Sequence, residues 1–134
     1  MVKFENVSKH YDGASEAALL HVSFQLEPGA LGVVTGESGA GKTTLFKLLM
    51  REIEPDEGTI WVNGQDISKI RTKDLPFYRR KLGLVFQDYR LMMEQTVYQN
   101  VAIGRIVAGA KESDIRRQVS YALRLVGMEN KFQQ

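Results

Sequence analysis

Residues 36–43 read Gly36-Glu37-Ser38-Gly39-Ala40-Gly41-Lys42-Thr43, a fit to the phosphate-binding pattern G-x-x-x-x-G-K-[ST]. Glycine lets a loop turn successive N–H groups inward around an anion without steric penalty. Such a loop then hands the anion to the positive end of a helix. The candidate nucleotide-binding residues are Gly36, Ser38, Gly39, Ala40, Gly41, Lys42, Thr43 and Thr44. Lys42 is placed to reach the β/γ-phosphates, and the Thr43 hydroxyl to ligate Mg²⁺. A glycine-rich turn that matches by chance is the competing reading, and the flanking sequence weighs against it.

That loop needs a strand before it and a helix after it. Residues 31–35 are apolar enough to predict a strand buried on both faces. The spacing of Leu45, Leu48 and Leu49 predicts a helix ending by Glu54-Pro55, since proline cannot continue it. Upstream, residues 2–7 read as a strand, and Leu20, Val22, Phe24 and Leu26 alternate as a half-buried strand does. The loop between them carries Tyr11, able to stack on an adenine ring or simply to stand in solvent. His10 beside it reads as solvated.

Downstream, residues 59–67 form a hairpin around Asn63-Gly64, a strong two-residue turn signal, with Trp61 as a packing residue. A short helix over residues 74–80 brings Arg79, Arg80 and Lys81 together, most simply as a solvated face and otherwise as a docking surface. Residues 82–86 predict a second buried strand, ending on Gln87-Asp88. Ligands of α/β sheets bind outside the carboxyl ends of strands, so Gln87 could orient Mg²⁺ or a water; a solvent-facing loop glutamine is the alternative. Thr96-Val97-Tyr98-Gln99 is a capping box opening a helix. Ile115, Val119, Ala122, Leu123 and Val126 mark the apolar face of a second helix, with Gly127 as its C-cap. Residues 89–93, Tyr-Arg-Leu-Met-Met, are core if buried and a partner surface if exposed.

Composition narrows the class. The 134 residues are 43% hydrophobic and 25% charged, an ordinary soluble profile. A net charge of +2 gives no footprint for nucleic acid. Cysteine is absent, so there is no disulfide framework or thiolate metal site. Residues 1–5 do not read as a signal peptide, and no apolar run reaches membrane-spanning length.

The phosphate loop, the aromatic loop at Tyr11 and the strand-end Gln87, in this order and spacing, resemble the ATP-binding subunits of ABC transporters. The resemblance covers essentially the whole chain. It implies an α/β fold: a P-loop NTPase core of ABC type with an antiparallel β subdomain over residues 1–88, and the start of an α-helical subdomain over residues 89–134. It implies ATP and Mg²⁺ as ligands, Tyr11 as the adenine-stacking residue, and Gln87 as the Q-loop glutamine at the metal. Lys42 and Gln87 are the implied catalytic residues. Implied partners are an integral membrane permease-like subunit and a second copy paired head-to-tail, placing the protein on the inner face of the plasma membrane. Stretches such as Val62-Asn63-Gly64-Gln65-Asp66 and Val85-Phe86-Gln87-Asp88-Tyr89-Arg90-Leu91 are similar to the cell-division members of the family. ATPases of lipoprotein-release and macrolide-export systems are the nearest competitors.

Family members also carry an LSGGQ-type signature, a Walker B strand ending in Asp-Glu and a switch histidine. Residues 1–134 contain none of these. The chain is therefore expected to be the N-terminal half of a nucleotide-binding domain, truncated before the signature, with apolar surface uncovered and no turnover by itself. A nucleotide-binding module without turnover is the alternative from another class. A P-loop kinase predicts neither the aromatic loop nor the Q-loop.

Overall fold

Strand β1 (Val2–Lys9) lies between β2 (Leu19–Leu26) and β3 (Glu57–Val62), with β4 (Gln65–Asp66) beyond β3. All pairings are antiparallel. The computed structural model describes all 134 residues and separates them into two units, Met1–Arg79 and Arg80–Gln134.

In the first unit Phe4, Val7, Leu48, Ile60 and Ile67 are almost fully buried, and Phe4 stacks on Phe24 with ring centroids 4.6 Å apart. Asn63 and Gly64 both take positive φ, the primed turn that suits a tight hairpin, as the sequence predicts. Trp61 is a packing residue whose indole N–H donates to Glu5 at 2.7 Å. The alternation expected in β2 fails at one end. His21 sits at φ 48°, and the ladder slips between the Val7–Val22 and Lys9–Leu19 pairs. A one-residue irregularity reverses the facing of the side chains on its N-terminal side, so Leu19 is buried and Leu20 is exposed.

Helix α1 (Lys42–Leu49) follows the phosphate loop and buries Thr44, Leu45 and Leu48. It stops before the expected Glu54-Pro55, with Arg51 already left-handed at φ 54°. Helix α2 (Leu75–Arg79) bears on that same end. The Tyr78 hydroxyl donates to Leu49 O at 2.6 Å, and Arg79 donates to Met50 O at 2.9 Å and Arg51 O at 2.8 Å. Arg79 is thus a cap on α1 as well as an exposed member of the basic cluster. These carbonyls are among those a helix C-terminus leaves without internal partners.

The second unit is helical. Thr96 caps α3 (Val97–Val107) with both halves of the capping box in place. After Gly109, α4 (Glu112–Leu125) buries Ile115, Val119 and Leu123 around Ala102, with the Tyr98 and Phe132 rings stacked at 5.1 Å. Gly127, at φ 69°, ends α4: its N–H donates to Arg124 O, and Met128 N–H to Leu123 O, the two bonds of a Schellman motif. Val126 is exposed rather than on the buried face.

Two expected strands are missing. Residues 31–35 and 82–86 carry no ladder, and Leu31, Val33 and Val85 are 91%, 78% and 91% exposed. An apolar run is a strand only when another strand supplies its hydrogen bonds, and neither run has one here. No helix is long and apolar enough to cross a membrane.

Candidate functional site

The loop before α1 owes its shape to glycine. Gly39 and Gly41 take φ 85° and 82°. A Cβ on Gly41 would lie 2.1 Å from Ala18 O, so glycine is required there by conformation and by space together. The loop closes through Ala40 N–H to Glu37 O at 3.2 Å and Gly41 N–H to Gly39 O at 2.8 Å.

Lys42 folds back over this loop. Its Nζ donates to Gly36 O at 2.8 Å and Glu37 O at 2.5 Å, which parks the ammonium at the mouth of the loop. Gly41 is the N-cap of α1 with no side-chain cap bond, and the first turn holds no acidic residue. The first amides of α1 therefore meet no competing carboxylate or hydroxyl of the chain itself, which suits an anion. Thr43 beside Lys42 is exposed, whereas Thr44 is buried.

Tyr11 belongs to the same place. Its hydroxyl lies 3.3 Å from Thr44 Oγ1, so the aromatic loop is held to the first turn of α1. The loop is fixed at its base by Ala18 N–H to Lys9 O at 2.8 Å. The His10 side chain is exposed, as expected, while its backbone N–H donates to Asp56 Oδ2 at 2.6 Å. The Lys9 ammonium, then the His10 N–H, hold the Asp56 carboxyl below its ordinary value. Nothing in the local sequence pointed to Asp56, because its partners stand 46 and 47 positions away.

Gln87 lies in the second unit, exposed, in the turn that follows residues 82–86. The next two residues, Tyr89 and Arg90, are both left-handed at φ 55° and 48°. Arg90 lies over the Phe86 ring at 3.8 Å. Of residues 89–93, Leu91 and Met93 are 58% and 87% exposed, so they are surface and not core. Leu91, Met92, Val97, Val101, Leu123 and Val126 line an open apolar groove of about 500 Å³. Asn100 fixes one wall: its amide donates to Met92 O, Gln95 O and Thr96 O and accepts from Met92 N–H.

No group of three His, Cys, Asp or Glu side chains could hold a metal by itself. The Thr43 hydroxyl, exposed beside Lys42, is an oxygen donor of the kind Mg²⁺ takes alongside phosphate oxygens.

The family model described as ABC transporter matches residues 19–134. The cell division ATP-binding protein FtsE of Escherichia coli (strain K12) is 49% identical over 131 residues, covering 98% of this chain and 59% of that protein. FtsE of Bacillus subtilis (strain 168) is 40% identical over 134 residues, covering 100% of this chain and 58% of that protein. A dimeric post-hydrolysis structure of the ATP-binding cassette MJ0796, bound to ADP and Pi, matches with a TM-score of 0.86 at 27% identity, covering 99% of this chain and 60% of that one. The chain spans about three-fifths of the length of the proteins it matches.

Proposed function

Because the chain belongs to the ABC transporter family, as its match over residues 19–134 and its 49% identity to an FtsE show, we propose that it is the ATP-binding part of an FtsE-like subunit. That subunit couples ATP binding and hydrolysis to a membrane partner in cell division. The observation that carries this reading is the loop at residues 36–43, with Lys42 seated on its own carbonyls before an uncapped helix.

In the proposed complex, phosphate oxygens replace the carbonyls of Gly36 and Glu37 as partners of Lys42. The amides of Gly39, Ala40, Gly41, Lys42, Thr43 and Thr44, with Gly36 and Ser38, surround the phosphates. The Thr43 hydroxyl would hold Mg²⁺, with Gln87 as the further ligand that the family resemblance implies, and the ion would neutralise charge on the phosphates. Tyr11 takes the adenine ring. We assign residues 1–88 to the nucleotide-binding part and residues 89–134 to the start of the helical subdomain.

Phosphoryl transfer is catalysed by positioning and by charge stabilisation. Lys42 and Gln87 supply part of this. We assign neither a general base nor a signature motif to residues 1–134; a second, head-to-tail copy supplies the signature over the γ-phosphate. The membrane partner, FtsX-like, docks at the exposed residues 89–93, where an aromatic and apolar cluster lies beside Arg90. The FtsE names of the relatives favour this partner over lipoprotein-release or macrolide-export systems.

Phosphate release tests the reading. General-base assistance is worth about 10²–10⁴-fold, and a missing charge clamp about 10²–10³-fold more. Residues 1–134 alone are expected to release phosphate no faster than their Lys42→Ala variant, with the full-length protein turning over alongside. Turnover near the full-length rate would place the whole catalytic apparatus in these residues and contradict the assignment.

A further inference from the structure

We propose that Asp56 is a positioning residue for nucleotide recognition: it clamps the root of the loop that presents Tyr11. This rests on the assignment of Tyr11 to the adenine ring made above.

Asp56 lies immediately before β3, far in sequence from Tyr11. Its carboxylate accepts from Lys9 Nζ at 2.6 Å and from the His10 backbone N–H at 2.6 Å, and the His10 ring Nδ1 is 3.6 Å away. Its own N–H donates to Ser8 O at 3.0 Å. One residue thus holds three consecutive positions, 8, 9 and 10, that lead into Tyr11. Beyond Tyr11 the loop is tied only locally, by Ala14 N–H to Tyr11 O at 3.0 Å, until Ala18 N–H reaches Lys9 O at 2.8 Å. Lys9 therefore closes the loop with its carbonyl and is itself gripped by Asp56 through its side chain.

The free end of Tyr11 reaches Thr44 Oγ1 at 3.3 Å, and Thr44 is buried in the first turn of α1. The ring is held between two fixed points, the Asp56 clamp at its root and Thr44 at its hydroxyl. Stacking on a base requires the ring at one place relative to the phosphate loop, and a ring already held there loses less freedom on binding. The clamp sets that place. An exposed ion pair contributes little to stability, so the consequence of losing Asp56 is read in binding rather than in folding.

The test uses the full-length protein with two probes, Mg-ATP and inorganic triphosphate with Mg²⁺. Inorganic triphosphate engages the phosphate loop without offering a base. Asp56→Ala is expected to weaken ATP about three- to tenfold, the range of an aromatic stacking contribution, and to leave triphosphate affinity unchanged within twofold. Asp56→Asn keeps an oxygen for the His10 N–H and is expected to retain more ATP affinity than Asp56→Ala, which also serves if the alanine variant folds poorly. In a Tyr11→Ala background, either Asp56 change is expected to have no further effect on ATP. Equal weakening of both probes, or additive losses with Tyr11→Ala, would make Asp56 a general structural residue and overturn the proposal. If Tyr11→Ala weakens ATP and neither Asp56 variant does, the proposal alone fails. If Tyr11→Ala binds ATP like wild type, the adenine assignment fails first and the role of Asp56 with it.

Discussion

The N-termini of α1 and α3 are built in opposite ways. At α3 the Thr96 hydroxyl accepts from Gln99 N–H at 3.2 Å, and the Gln99 side chain accepts from Thr96 N–H at 2.8 Å, so the chain satisfies its own amides. At α1 the cap is Gly41, which has no side chain to offer, and no carboxylate stands in the first turn. The C-terminal end of α1, by contrast, is closed by Tyr78 and Arg79. Of these three ends, the one left open adjoins the lysine and the glycine loop. An open helix end carries little alone; together with Lys42 and Gly41 it is the arrangement on which phosphate binding is proposed.

The largest expected effect comes from forcing a side chain into the open end. Gly41→Ala adds a Cβ 2.1 Å from Ala18 O at a left-handed φ of 82°. It is expected to cost at least about 2 kcal/mol of stability and to abolish ATP binding, because the loop must move. Denaturant unfolding and an ATP titration check both. Normal binding by this variant would erase the distinction between the two helix starts.

Next in size is the closed end. Thr96→Ala removes the cap of α3 and is expected to cost about 1 kcal/mol of stability while leaving ATP affinity unchanged. A loss of ATP affinity without a matching loss of stability would mean that this cap serves binding as well.

Of the same order is the C-terminal closure of α1. Tyr78→Phe deletes the bond to Leu49 O and is expected to cost about 1 kcal/mol near neutral pH. Burial pushes the Tyr78 hydroxyl up to about 12 from an ordinary value of 10.0. The folded state therefore favours the neutral phenol. That contribution is fully present below pH 10 and is lost as pH rises through about 12. The gap between wild type and Tyr78→Phe should accordingly narrow above pH 10; a gap that widens there would contradict the assigned burial.

Much of this was legible in the sequence because it is local. The phosphate loop, the Asn63-Gly64 hairpin, the Thr96 capping box and the Gly127 cap are each specified within a few residues. What was not legible is set at a distance. The runs 31–35 and 82–86 read as buried strands because composition reports apolarity and not the presence of a neighbouring strand. Leu20 read as an inward residue because a bulge at His21 leaves no mark on the alternation. The capping role of the exposed Arg79 left no mark in the sequence because its carbonyl partners lie 28 and 29 positions earlier. The role of Asp56 drew no reading from the sequence for the same reason, its partners standing 46 and 47 positions away. Of the site, the residues proposed to meet phosphate follow from the motif, whereas those that hold the aromatic loop required the fold.

The most direct test is an ATP titration of the full-length protein against its Lys42→Ala variant, with unfolding measured alongside. Lys42 is the charged donor that the loop carbonyls hold at its mouth. Its loss is expected to weaken ATP about a hundredfold or beyond detection, with stability unchanged within about 1 kcal/mol. A Lys42→Ala protein that is folded and binds ATP as tightly as wild type would show that this loop is not the nucleotide site.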